Sequence, residues 1–165
     1  LPIKGGGFMR PIVMAYDTNG EAGVYDRAQE FYKANPAYAK RLFPIKGSSR
    51  PLEGLVELSK PQETKSKVKT KRRSKAPKNG ETPLYLLSTD KLKDIITANM
   101  QIEAGLPKSV LYSNQLDDSY FNELLAEERT KSGKWVQKGG ANESFDLTAY
   151  IWAVLVFHKL SLIHI

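Results

Sequence analysis

The chain has 165 residues, a formal net charge of +7, no cysteine and two histidines, His158 and His164. That length suits one domain, and a hydrophobic share of 41% is enough for a real core. Disulfides and thiolate sites are excluded, and two histidines argue against an imidazole-rich zinc centre, so any metal would be held by oxygen, favouring Mg²⁺ or Mn²⁺.

The charge is uneven. Residues 60–80, "KPQETKSKVKTKRRSKAPKNG", hold nine Lys/Arg against one acid, Glu63, so the rest of the chain is close to neutral. The longest apolar run, Ala149 to Phe157, is nine residues, against ~20 for a bilayer span. The N-terminal "LPIKGGGFMR" lacks the apolar region of a signal peptide, and no membrane partner is expected.

In chain order, residues 11–16 predict a short buried strand, preceded by Pro11. Residues 21–34 predict a helix, with Val24, Ala28, Phe31 and Tyr32 at helical spacing and Asn35-Pro36 ending it. "RLFPIKG", 41–47, predicts a second strand, placed at an edge or irregularity by Pro44. Residues 48–82 read as mostly irregular. "PLYLLST", 83–89, predicts a strand that runs into a helix with Leu92, Ile95, Ile96 and Met100 on its apolar face. Ser88 or Thr89 can cap this helix, and Asp90 suits its positive end.

"VLYS", 110–113, predicts a short strand. "LDDSYFNELLAEERTK" predicts a helix with Phe121, Leu124 and Leu125 inward. "KWVQK", 134–138, reads as a strand or extended arm. A last helix is expected from about Asn142 to Leu160, apolar on all sides from Ala149 and therefore buried. The order gives an α/β fold, helices packed on a mixed sheet. The tail "LSLIHI" resembles a translated sequencing adapter, so residues 161–165 are expected to be non-native and residues 1–160 to form the domain.

Two carboxylates stand out. Asp17, in "YDTNG", ends the first strand; it is either a turn residue beside Asn19-Gly20 or a metal ligand. Asp146, in "GGANESFDLTAYIWAV", shares a helix face with Asn142 and Glu143. It is either an acid in an exposed first turn or a carboxylate that needs a partner near a buried segment. A pair of carboxylates of this kind suits two-metal phosphoryl chemistry. The basic 60–80 tract reads as a flexible solvated loop, compatible with salt-sensitive phosphate contact through Lys69, Lys71, Arg72 and Arg73. Lys46, beside Gly47, Ser48 and Ser49, is either a phosphate contact or part of an exposed turn; no P-loop signature is present. Trp135 with Lys134 and Lys138 could flank nucleic acid, although such a Trp more often packs in a core. His158 reads as structural.

As a set, "MAYDTNGEAGVYD", "RLFPIKGSSRP", "PLYLLSTDKLKDII" and "WVQKGGANESFDLTAYIWAV" resemble the C-terminal nuclease region of the lambda-type phage terminase large subunit. The four blocks match in order and spacing over most of residues 8–158. The resemblance implies an RNase H-like fold, its mixed sheet flanked by helices, that uses divalent metal, Mg²⁺ or Mn²⁺, to cut concatemeric double-stranded DNA. It also implies an ATPase motor N-terminal to this region, so ATP enters only through that domain. A terminase small subunit and the procapsid portal are the implied partners, in the host cytoplasm. Asp17 matches the acid of the family's "IDSGG"-like block and Asp146 that of its "NEALD"-like block, both implied metal ligands. Asn142 and Glu143 match the start of the latter block and support the site. Lys46 matches the lysine of the "KGSS" block. Asn19 stands where the family usually has Gly, which an Asn can mimic. RNase H-like sites use a further Asp on a strand expected upstream of Leu1, so the region reads as N-terminally truncated and its site as incomplete. Two alternatives remain open: a non-catalytic RNase H-like DNA-binding module using the 60–80 loop, and another RNase H-like enzyme such as a resolvase or integrase.

Overall fold

The structure is a computed structural model that describes residues 6–7, 12–18, 23–38, 41–59 and 84–157. The basic 60–80 loop with Lys69, Lys71, Arg72 and Arg73, the Asn19-Gly20 turn, His158 and the 161–165 tail lie outside the described residues. The described elements are β1 (Met14–Asp17), α1 (Val24–Ala34), β2 (Leu42–Gly47), β3 (Val56–Leu58), β4 (Tyr85–Leu87), α2 (Thr89–Met100), α3 (Asp118–Leu124), β5 (Glu127–Arg129), β6 (Trp135–Gln137) and α4 (Glu143–Phe157). The α/β expectation therefore holds, with four helices among the described residues. None of these helices is long and apolar enough to cross a membrane.

A four-stranded sheet has the order β1-β2-β4-β3. β1 and β2 pair in parallel, with Met14 opposite Leu42 and Asp17 opposite Ile45. The Ser59 amide donates to the Leu84 carbonyl and the Ser88 amide to the Leu55 carbonyl, so β3 and β4 run antiparallel and the sheet is mixed. β2 is interior, which corrects the edge placement expected from Pro44. The reason is register. The Ser48 amide donates to the Leu87 carbonyl, and amides two residues apart point to the same neighbour, so the donor that Pro44 lacks falls outside the three residues of β4.

The chain divides into two compact units, residues 1–46 with 58–86 and residues 47–57 with 87–165. In the first, Pro44, Ile45 and Tyr85 are buried, and Phe43 meets Tyr85 edge-on at 5.5 Å. α1 ends where Asn35-Pro36 predicts, and the Asn35 side-chain amide caps it by donating to the Phe31 carbonyl at 3.0 Å.

In the second unit, α2 and α3 both pack on α4. Leu92 and Ile96 on α2 are fully buried, as are Phe145, Ala149 and Ala153 on α4. The alanines at i, i+4 spacing let the helices approach closely. Asp117 N-caps α3, accepting from the Tyr120 amide at 3.1 Å. The loop at 52–53 is fastened to α2 by Lys91, whose ammonium donates to the carbonyls of Leu52 and Glu53 at 2.7 and 2.9 Å.

Several expectations fail for tertiary reasons. α4 is not buried all round: Leu147 and Ile151 are 55% and 63% exposed, because its neighbours among the described residues pack on the Phe145-Ala149-Ala153 face. α3 stops at Leu124, so Leu125 is 73% exposed rather than inward. The following "EER" forms β5, paired antiparallel with β6. Residues 110–113 form no strand; Tyr112 instead packs edge-on against Tyr120 and Phe121. β3 lies in a stretch read as irregular. Ser88 precedes α2 without a side-chain cap bond.

Removing buried volume on α2 has a defined cost. Ile96→Ala is expected to destabilise the fold by about 2–5 kcal/mol in urea denaturation. Burial, reinforced by Tyr120, pushes the Tyr112 hydroxyl up to about 12. Since the folded value lies above the unfolded one, this contribution is intact below about pH 10 and is lost as pH rises towards the folded value. The expected outcome is a fall in urea midpoint across that window that Tyr112→Phe reduces.

Candidate functional site

Asp17 is the last residue of β1, half-buried, at the carboxyl end of a parallel strand pair. The next residue, Thr18, continues the pairing, since both its amide and its hydroxyl donate to the Ile45 carbonyl, at 2.9 and 3.0 Å. Asp17 is thus held in the sheet through its strand. Carboxyl ends of strands are where open α/β sheets bind ligands. Lys46 lies at the same carboxyl end of the strand pair, one residue past the partner of Asp17, and is exposed. Strand alternation sends Asp17 and Ile45 to one face and Lys46 to the other. Beyond it, Ser48 folds its hydroxyl into the turn, donating to the Arg50 carbonyl at 2.8 Å.

Asp146 lies in the first turn of α4, inside the second unit, and its surroundings are charged. The Lys93 ammonium of α2 is 2.6 Å from its Oδ1. The same ammonium donates to both carboxylate oxygens of Glu127 on β5, at 2.7 and 2.8 Å. Asn142, just before α4, donates its side-chain amide to Glu127 Oε1 and, at 3.4 Å, to Asp146 Oδ2. The Lys93 and Glu127 side chains are only 6% and 4% exposed, whereas that of Asp146 is 28% exposed. Lys93 also lies over the Phe145 ring, 4.9 Å from its centroid. One ammonium faces two carboxylates, so the cluster carries an excess negative charge, and the solvent-accessible member is Asp146.

The partner that a carboxylate near a buried segment requires is therefore Lys93. Asn142 contacts Asp146, while Glu143 is exposed. Lys93 and Glu127 were missed in the sequence. Lys93 carried a readable signal, since it sits at i−3 from Ile96 and i−7 from Met100, inside the apolar stripe of α2. Glu127 carried none, because "LLAEERTK" reads as continuing helix. Among the described residues, no group of three or more acidic or imidazole side chains is arranged to hold a metal ion. Asp146 Oδ2 accepts from the Asn142 amide at 3.4 Å, and a carboxylate oxygen is the kind of hard donor that Mg²⁺ or Mn²⁺ prefers.

α2 also anchors the β5–β6 hairpin. Arg129 clamps Asp94 bidentately, at 2.5 and 2.6 Å. The Trp135 indole donates to Asp94 Oδ1 at 2.8 Å and its backbone amide to Asp90 Oδ1 at 2.9 Å. Trp135 meets Phe145 edge-on at 5.1 Å, so it packs in the core rather than flanking a ligand. Lys138 remains largely exposed, 2.9 Å from Glu128.

Lys93→Met leaves two carboxylates facing each other without their cation, and is expected to cost about 3–5 kcal/mol of stability in urea denaturation.

No curated protein and no solved structure matches the chain. The family described as "Terminase large subunit gpA, endonuclease domain" matches residues 1–165. The four sequence blocks and a match over the whole chain agree, and the chain belongs to the gpA terminase large-subunit endonuclease-domain family.

Proposed function

We propose that this chain is the divalent-metal-dependent nuclease region of a phage packaging motor, cutting concatemeric double-stranded DNA in the host cytoplasm. The observation that carries the reading is the whole-chain match to an endonuclease domain. The excess negative charge at Asp146 supports it. Asp17, in the first unit, and Asp146, in the second, are each proposed as metal ligands, as the resemblance to an RNase H-like nuclease implies. Asn142 would help to orient Asp146 through its amide, and Glu143, at the helix start, is assigned a weaker supporting part. Bound Mg²⁺ or Mn²⁺ would supply an activated water and charge neutralisation at the leaving oxygen. The residues of the chain orient the carboxylates and keep them charge-balanced.

DNA contact is assigned to Lys46, Lys138 and the basic segment with Lys69, Lys71, Arg72 and Arg73. Such contacts give affinity without sequence readout. ATP, a terminase small subunit and the portal would act through the rest of the packaging machine. A non-catalytic DNA-binding module is the competing reading, favoured by nine basic residues against one acid in residues 60–80.

The two readings separate in the full-length large subunit. Asp17→Asn and Asp146→Asn are each expected to reduce Mg²⁺-dependent cutting by about a hundredfold or more while leaving DNA affinity within about threefold. Retained cutting in both variants overturns the nuclease assignment. Neutralising Lys69, Lys71, Arg72 and Arg73 is expected to weaken binding and to lower the salt slope by about 0.9 for each phosphate no longer neutralised.

A further inference from the structure

The charge balance around Asp146 leads one step further, and this step rests on the reading of Asp146 as a metal ligand. An ammonium has three N–H groups and no acceptor. Lys93 directs two of them at the Glu127 oxygens, at 2.7 and 2.8 Å, and its nitrogen also forms an ion pair with Asp146 Oδ1 at 2.6 Å. Glu127 and Asp146 both match the buried ammonium, and together they leave the cluster one negative charge in excess. The consequence of the Asp146 contact is geometric. Oδ1 lies 2.6 Å from the ammonium, the shortest of the three Lys93 contacts, and Oδ2 accepts from the Asn142 amide at 3.4 Å. The carboxylate is thus held by Lys93 and Asn142 while its side chain stays 28% exposed.

We propose that Lys93 is the positioning residue of Asp146. Its ammonium stands in for a cation before metal arrives, holds the carboxylate in its working orientation, and keeps metal affinity moderate by charge repulsion. Glu127 positions Lys93 in turn. Two effects of removing the ammonium oppose each other: Asp146 loses its orientation, which weakens metal binding, and the ion loses a repelling neighbour, which strengthens it. Repulsion between an ammonium and a divalent ion a few ångströms apart outweighs the ordering of one short side chain. Affinity for the ion and rate of cutting should therefore move in opposite directions.

The test is Mn²⁺ binding by isothermal titration, alongside DNA cutting, in the full-length large subunit. Lys93→Met is expected to bind Mn²⁺ at least about tenfold tighter than wild type and to cut at least about tenfold more slowly. Lys93→Arg, which keeps the charge, is expected to hold Mn²⁺ affinity within about threefold of wild type. A purely structural Lys93 would lower both quantities in Lys93→Met, and unchanged or weaker Mn²⁺ binding there overturns the proposal. Where Lys93→Met does not fold, Glu127→Gln decides. It leaves the ammonium to Asp146 alone and is expected to weaken Mn²⁺ binding by about threefold or more; unchanged affinity overturns the proposal. The underlying reading fails separately, if Asp146→Asn binds Mn²⁺ as wild type does.

Discussion

A buried ammonium has to be matched by carboxylates, and in the second unit this one requirement ties three elements together. Lys93 comes from α2, Glu127 from β5 and Asp146 from α4. Apolar packing between α2 and α4 is non-directional and could tolerate a small rotation of either helix. The Lys93 contacts cannot, because each depends on distances of 2.6–2.8 Å. Burial of Leu92, Ile96, Ala149 and Ala153 supplies the driving force, and the charged cluster selects the helix rotation.

The same helix recruits the β5–β6 hairpin through its other acids. Asp90 and Asp94 receive the Trp135 backbone amide, the Trp135 indole and the Arg129 guanidinium. A two-stranded hairpin is marginal on its own. These anchors, with Trp135 edge-on to Phe145, give it the tertiary support it lacks. The hairpin in turn delivers Glu127 to Lys93. The side chains that hold the hairpin are thus neighbours of those that contact Asp146.

In the first unit, the corresponding constraint is register. Pairing of Asp17 with Ile45 puts the carboxylate at the carboxyl end of two parallel strands. Pro44 is accommodated inside the sheet because its missing donor falls beyond the partner strand. The residue that suggested an edge strand is therefore compatible with an interior one.

How much was legible follows from what each element depends on. β1, α1, β2, β4, α2, β6 and α4 came from local signals: short apolar runs, helical spacing, Asn-Pro and Gly-Gly stops. The family was legible as well, because the blocks keep their order and spacing along the chain. What the sequence left open depends on distant partners. "EER" is a helix former that becomes a strand because Asp94 and Lys93, more than thirty residues away, hold its side chains. The exposed face of α4 reflects which neighbours pack on it, and nothing in its own composition reports that. The partner of Asp146 was required by burial but not identifiable, since any lysine could have served. Sequence determined the local elements and the chemistry present; only the tertiary structure decided which charges meet, because ion pairing depends on distances of a few ångströms between residues far apart in the chain.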